Sequence, residues 1–470
     1  MIHKKINVWC WPIVVLLLRI SPAAAQTSGK LLTLPEALKL ALTNYQLLQA
    51  KENYVKASAE SVETARKDAL PDLTLSAEND FGTLNGMNGL PSGQPGITTL
   101  TAGPATSNQS WNAAFGALYV AGIDWNLYSF GLQRSHVAAA RGQNDQDLAD
   151  LRQEQFRQQV RVTGAYLDLQ SAQRLRMAME DNLRRAIQLR DIIQSRTAGG
   201  LNPGVDSSLA NAEVSRARLS LIDARSYEQK QSEQLSVQLG VTPQDFILDS
   251  VFAVRLPRDL SDPLPAAGLA QHPILQWLGS RVRTSDLLAD YLYKTGLPRL
   301  SFFGVLQDRG SGFGGNYATD QADYSNGYFN GVNPTRTNYL IGIGLTWDVT
   351  GFSKSRSMVA SQRWRSAGLR DEFNLEQNQL TNQLALSDRQ LGDALAKYQE
   401  TPIQLQSAMD AYHQKKALYE NGLTTLVEVT QTLFILNRAE IDRDVACNAV
   451  WQALLLKAGA AGDMGLFLQQ

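Results

Sequence analysis

The residues able to do chemistry are few and scattered. Histidines stand at His3, His136, His272 and His413, in separate segments, none at metal-ligand spacing, and no H-E-x-x-H occurs. His136, His272 and His413 are expected to be surface or packing residues. Gly310-Ser311-Gly312-Phe313-Gly314-Gly315 matches G-x-G-x-x-G, but it sits in a Gly/Asn loop with no helix following. A dinucleotide fingerprint must open a helix, so that reading fails. Cys447 has the apolar neighbours Val445, Ala446, Val450 and Trp451 and no nearby base, and reads as a small buried hydrophobe. Asp206 and Glu428, taken alone, are carboxylates near helix starts, where the dipole favours them. The expectation is a protein with no catalytic residues, no cofactor and no metal.

Composition narrows the class further. The chain has 470 residues, with 44 Lys+Arg against 45 Asp+Glu, a net charge of −1, and 44% hydrophobic residues. Such a balance gives no basic surface for nucleic acid. After the first twenty residues no apolar run approaches the roughly 20 needed for a membrane-spanning helix. Residues 1–25 read as an export signal: Lys4 and Lys5, an apolar stretch from Val8 to Leu18, then Ala23-Ala24-Ala25. Its removal would take away three bases and no acids, moving the net charge from −1 to −4, and would leave Cys447 without a disulfide partner.

Length alone suggests two or three domains, but the chain repeats itself. Trp125-Asn126-Leu127-Tyr128-Ser129-Phe130 lies over Trp347-Asp348-Val349-Thr350-Gly351-Phe352 at an offset of 222. At the same offset Arg134-Ser135 falls on Arg356-Ser357, Gly200-Leu201 on Gly422-Leu423, and Val205-Asp206 on Val427-Glu428. The expected organisation is a first repeat over 26–262 and a second over 263–470, joined where Pro257, Pro263 and Pro265 cluster. Each repeat reads as helix, strand, long loop, strand, very long helix, turn, helix. The first helix opens on the capping box Thr33-Leu34-Pro35-Glu36 and is expected to run to about Ala69.

The first repeat then predicts strands at 72–82 and 112–128 and helices at 132–197 and 206–240. The second predicts strands at 299–308 and 338–350 and helices at 353–421 and 424–457. A helix over 132–197 would be roughly 100 Å long. Leu175, Met179, Ala186, Leu189 and Ile193 follow coiled-coil spacing, with Asn182 filling the missing seam position. Pro402 should kink or break its helix. The class is mainly α with a small β part.

The strands alternate. Phe115, Ala117, Tyr119, Ala121, Ile123 and Trp125 alternate with small or polar residues, as do Tyr339, Ile341, Ile343, Leu345 and Trp347. That pattern fits a barrel with lipid outside and water within. It also fits a soluble sandwich with one buried face. The loops 79–111 and 308–337, rich in Gly, Asn, Thr and Ser, suit the extracellular side. Four strands cannot close a barrel, and an open edge in lipid leaves backbone groups unpaired, so association of several chains follows.

The combination resembles the TolC family of outer-membrane efflux channels across essentially the whole mature chain. The residues that carry it are Leu32-Thr33-Leu34-Pro35-Glu36-Ala37-Leu38, the Leu-Pro pairs at 70–71 and 297–298, and the Trp-x-x-x-x-Phe strand exits at 125–130 and 347–352. The turns Gly200-Leu201 through Asp206 and Tyr419-Glu420-Asn421-Gly422-Leu423 through Glu428 complete it. The resemblance implies a homotrimer with a 12-stranded outer-membrane barrel, continued by a coiled-coil helical tunnel across the periplasm. It implies a periplasmic adaptor and an inner-membrane pump as partners, with outer-membrane lipid around the barrel.

It also implies that the turns form the tunnel entrance. There Glu428 supplies an acidic ring, Gln431 is neutral where a second acid can occur, and Asp206 and Tyr419 help tie the tip. Thr424 stands where some relatives carry a basic partner. Small-molecule efflux is the first expectation for cargo, with polypeptide secretion as the alternative. A periplasmic coiled-coil tether would have no use for the strands, and a porin would lack the long helices.

Overall fold

A computed structural model describes residues 31–86, 104–200, 203–257 and 266–470. The expected export signal, the middle of the loop 79–111, Leu201, Pro263 and Pro265 lie outside the described residues. Along the chain come β1 (Leu31–Leu32), α1 (Leu34–Asn44), α2 (Gln46–Lys67), β2 (Asp72–Thr83), β3 (Ala113–Tyr128), α3 (Leu132–Ala198) and α4 (Gly204–Leu239). Then follow β4 (Ile247–Leu248), α5 (Val251–Val254), a 3-10 turn (Ala266–Gln271), α6 (Pro273–Lys294) and β5 (Arg299–Ser311). The chain ends with α7 (Tyr328–Val332), β6 (Arg336–Thr346), α8 (Val349–Glu420), α9 (Leu426–Ala461) and α10 (Gly465–Leu468). None of the described helices is long and apolar enough to cross a membrane, which says nothing of a barrel.

Contacts divide the chain into two compact units. One comprises the segment up to Leu40, Val162–Leu256 and Glu400–Asn448; the other comprises Ala41–Arg161, Pro257–Gln399 and Ala449–Gln470. The second unit holds an antiparallel sheet of order β2-β3-β5-β6. Its register puts the alternating apolar residues on one face. Leu73 opposes Ile123 and Phe81 opposes Phe115; Trp125 opposes Phe302; Phe302 opposes Ile343 and Leu300 opposes Leu345. The other face mixes Thr74, Ser76, Asp124, Asn126, Ser301, Gly342, Gly344 and Thr346 with the apolar Leu118, Val120, Phe303, Val305 and Leu340. Leu75 is 78% and Ile343 66% exposed within one chain. Burying such residues stabilises by about 1.5–3 kcal/mol each, so a face of this kind needs an apolar medium. Among the described residues β2 and β6 each have an unpaired outer edge, which water or another strand must satisfy.

The repeat is visible in how each strand meets the helix before it. Trp125 donates its indole N–H to Ala69 O at 2.9 Å, just ahead of Leu70-Pro71. Trp347 donates to Gly296 O at 3.2 Å, just ahead of Leu297-Pro298. A carbonyl near a helix end has no intrahelical partner, and the tryptophan supplies one.

Several boundaries differ from expectation. The helix expected from Thr33 to Ala69 is two helices, because Tyr45 is extended at φ −68°, ψ 113°. Asn44 and Tyr45 are poor helix formers, and the Tyr45 ring lies beneath the Arg161 guanidinium at 5.8 Å. The strand expected to reach residue 350 stops at Thr346. Asp348 caps α8 instead, accepting the Gly351 N–H at 2.8 Å and the Thr350 hydroxyl at 3.0 Å. Pro402 does not break its helix: α8 runs through it over 72 residues, the proline removing one N–H from a long ladder.

In the first unit the long helices bury a coiled-coil seam. Met179, Asn182, Ala186, Leu189 and Ile193 are buried on α3, with Leu175 packed partly buried beside them. Charged pairs lie between the helices. Arg185 grips Glu440 with two bonds, and Arg176 Nε lies 2.6 Å from Glu228. Bidentate guanidinium–carboxylate geometry fixes alignment as well as adding energy.

Candidate functional site

Two turns in the first unit hold every residue expected at an entrance. The turn from α8 to α9 is closed by a left-handed glycine, Gly422, at φ +75°. Gly422 N–H donates to Tyr419 O at 3.0 Å and Leu423 N–H to Leu418 O at 2.9 Å. This Schellman pairing satisfies the last carbonyls of α8. Thr425 then caps α9, its Oγ1 accepting the Glu428 N–H at 3.5 Å. The equivalent turn from α3 to α4 uses Gly200 at φ +73°, with Gly200 N–H donating to Thr197 O at 3.0 Å. Asp206 lies in the first turn of α4, as Glu428 does in α9.

Beneath the turns lies an apolar cluster including Leu189, Ile193, Ala210, Tyr412, Tyr419, Leu426, Val429 and Leu433. Tyr419 is 3% exposed, and the Arg196 guanidinium lies 5.7 Å over its ring. Arg196 also donates to Glu420 O at 2.6 Å. It thus ties the end of α3 to the end of α8 through a carbonyl with no partner in its own helix and through a cation–π contact.

Glu428 is not a lone carboxylate. Lys415 on α8 forms an ion pair with it across the hairpin, both side chains being partly exposed. The Lys415 hydrogen bond, the adjacent Thr424 hydroxyl and the ammonium charge hold the Glu428 carboxyl below its ordinary range. Thr424 Oγ1 itself is buried without a partner in hydrogen-bond geometry among the described residues. Gln431 is exposed one turn beyond Glu428.

Lys415 and Arg196 were missed by reading motifs. The signal for Lys415 was positional: it lies five residues before the end of α8 and Glu428 two residues into α9, and residues so close to a turn can meet across a helical hairpin. At the offset of 222 the counterpart of this pair is Ile193 and Asp206. Ile193 is buried, so the lysine is particular to the second repeat.

The other chemistry-bearing residues have structural surroundings. His272 caps α6, its Nδ1 accepting the Ile274 N–H at 3.2 Å and its Nε2 lying 3.1 Å from Gly459 O; burial lowers its pKa. His136 stacks on Tyr291 beside Asp68, and His413 is exposed next to Tyr412. Cys447 is buried against Phe252 O and Ala253 O; burial raises its thiol pKa. Gly310 and Ser311 end β5, and Gly312–Gly315 begin the loop.

Residues 37–241 match the family model of the outer membrane efflux protein. No curated protein matches the chain. Among solved structures, the CmeC outer membrane channel of Campylobacter jejuni is 14% identical with a TM-score of 0.72, covering 91% of this chain and 85% of that one. The outer membrane protein VceC of Vibrio cholerae is 15% identical with a TM-score of 0.69, covering 92% and 96%. The MtrE outer membrane channel of Neisseria gonorrhoeae, in its open state, is 14% identical with a TM-score of 0.69, covering 92% and 89%.

Long helices and a four-stranded antiparallel sheet give the chain the fold of these outer-membrane channels. Residues 37–241 carry the pattern of the outer membrane efflux protein family.

Proposed function

We propose that three copies of the chain join at β2 and β6 to close a twelve-stranded barrel, and that the trimer is the exit duct of a tripartite export system. The observation that carries this is the sheet: one face rich in large apolar residues, one face that mixes small, polar and apolar residues, and, among the described residues, two unpaired edges. Closing the edges with copies of the same strands satisfies every ladder group in lipid. A periplasmic adaptor and an inner-membrane pump feed the duct, and small molecules are its cargo. The two repeats, 26–262 and 263–470, each supply one strand pair and one helical hairpin.

Glu428 lines the periplasmic entrance, with Asp206 and Gln431 near it, and Lys415 sets how much of the Glu428 charge a passing ion meets. A ring of like charges selects by sign, so the entrance favours cations in proportion to the carboxylate that Lys415 leaves uncompensated. Tyr419, held under Arg196, and Thr424 position the turn. Purified protein in a planar bilayer tests the reading: discrete conductance steps are expected, and their absence from well-folded oligomers would overturn it.

A further inference from the structure

The short helix α7, in the loop after β5, packs on the apolar face of the sheet. Gly310 shares that face with Ala117, which it opposes. A Cβ at Gly310 would stand 2.5 Å from Gly331 O and 2.7 Å from Asn333 O, so the helix and the sheet approach backbone to backbone. Tyr119, on the same face, donates its hydroxyl to Val332 O at 3.3 Å. Phe115 meets Tyr328 edge to face with ring centroids 5.1 Å apart, and Phe81 lies 4.6 Å from Phe115.

Among the described residues nothing covers the outward side of α7, where Phe329 and Tyr328 stand beside Asn330. Phe329 is 72% and Tyr328 47% exposed, and the helix, Tyr-Phe-Asn-Gly-Val, carries no charge. A neighbouring copy is not placed to cover it, because α7 packs on β3 and β5, the two inner strands, whereas copies join at the edges. Its height also matters. From Trp125 to Phe115 a tilted strand climbs roughly 24 Å along the barrel axis, against an apolar band about 25 Å tall. The helix therefore sits at the outward rim of the band, where aromatic side chains bridge hydrocarbon and water.

We propose that α7 is an interfacial anchor, with Phe329 and Tyr328 seated in the headgroup boundary of the outer leaflet. The inference rests on the reading above that the apolar face meets lipid. The anchor fixes how deep the barrel rides and shields the Gly310–Gly331 contact from water.

A cysteine-attached fluorophore tests it in the full protein, reconstituted in phosphatidylcholine–phosphatidylglycerol vesicles with nitroxide lipids quenching near the headgroups or deep in the chains. Labels are placed by Phe329→Cys, by Ile343→Cys in the apolar band, and by Gly315→Cys in the open part of the same loop, where a side chain meets nothing within 4 Å. Wild-type protein, its Cys447 buried, gives the background, and Tyr328→Cys repeats the measurement from a second position. The expected result is quenching at 329 several-fold stronger by shallow than by deep nitroxides, deep quenching at 343, and little at 315. Quenching at 343 with none at 329 or 328 would overturn the anchor alone. No quenching at 343 would overturn the lipid-facing sheet and the anchor with it.

Discussion

Gly342→Ala examines the sheet at atomic range. In the β5–β6 register Gly342 opposes Phe303, and a Cβ added at Gly342 would stand 2.6 Å from Phe303 Cζ and 3.0 Å from Cε2. At Gly344 the nearest atom is Phe303 Cε1, at 3.6 Å, an ordinary contact. Forcing a methyl against a ring costs about 1–3 kcal/mol through off-rotamer side chains and backbone shifts. Alanine for glycine in a strand otherwise gains about 0.5–1 kcal/mol. The two alanine variants are therefore expected to part: Gly342→Ala loses stability, and Gly344→Ala holds or gains.

Phe303→Val removes the ring edge, so the double variant should recover, with a coupling of about 1 kcal/mol or more. Denaturant midpoints in detergent, followed by tryptophan fluorescence, measure all four proteins. Equal midpoints for the two alanine variants, or no coupling to Phe303, would show that Phe303 and Gly342 do not share the inner face. The alternation argument would then fail at its central pair.

The remaining expectations concern the turns. In bilayer recordings Lys415→Met should shift the reversal potential toward cation preference and Glu428→Gln away from it; identical selectivity in both would remove the pair from the entrance. Because the Glu428 carboxyl is held below its usual value of 4.5, the ion pair is present above that value and lost only as pH falls through the lower, folded one. Selectivity should stay constant from pH 7 to 5, and a change centred above pH 5 would contradict the pairing. Gly422→Ala has space, its nearest contact being Arg196 Nη2 at 3.8 Å, but φ +75° costs a side chain about 1–2 kcal/mol. Hydrogen exchange should quicken in the last turn of α8 and spare α3's middle. Leu433→Ala, at 1% exposure in the cluster beneath the turn, should cost about 2–5 kcal/mol in a denaturation midpoint.

Much of the architecture was legible because the repeat and the two periodicities reinforce each other. An offset of 222 aligned Trp125 with Trp347 before their matching bonds to Ala69 and Gly296 were seen. Period-two alternation assigned Leu73, Ile123, Phe302 and Ile343 to one face, where the register puts them. The strand end at Thr346 was misplaced because Asp348, a capping residue, continues the alternating pattern by chance.

The position of α7 was not readable. A five-residue helix has no periodicity of its own, and its contacts with Gly310, Tyr119 and the Phe115 ring reveal which face it takes. At the turn between α8 and α9, Glu428 was singled out by the repeat and the family resemblance, whereas Lys415, its ion-pair partner across the hairpin, belongs to no local pattern. Arg196 escaped for the same reason: its partners are a carbonyl and a ring on another helix.

Everything proposed about transport depends on each chain being an unfinished barrel. The direct measurement is the native mass of the assembly released from the outer membrane in mild detergent. Three copies of the chain are expected, giving twelve strands from three sets of four. A stable, well-folded monomer with β2 and β6 still unpaired would contradict it.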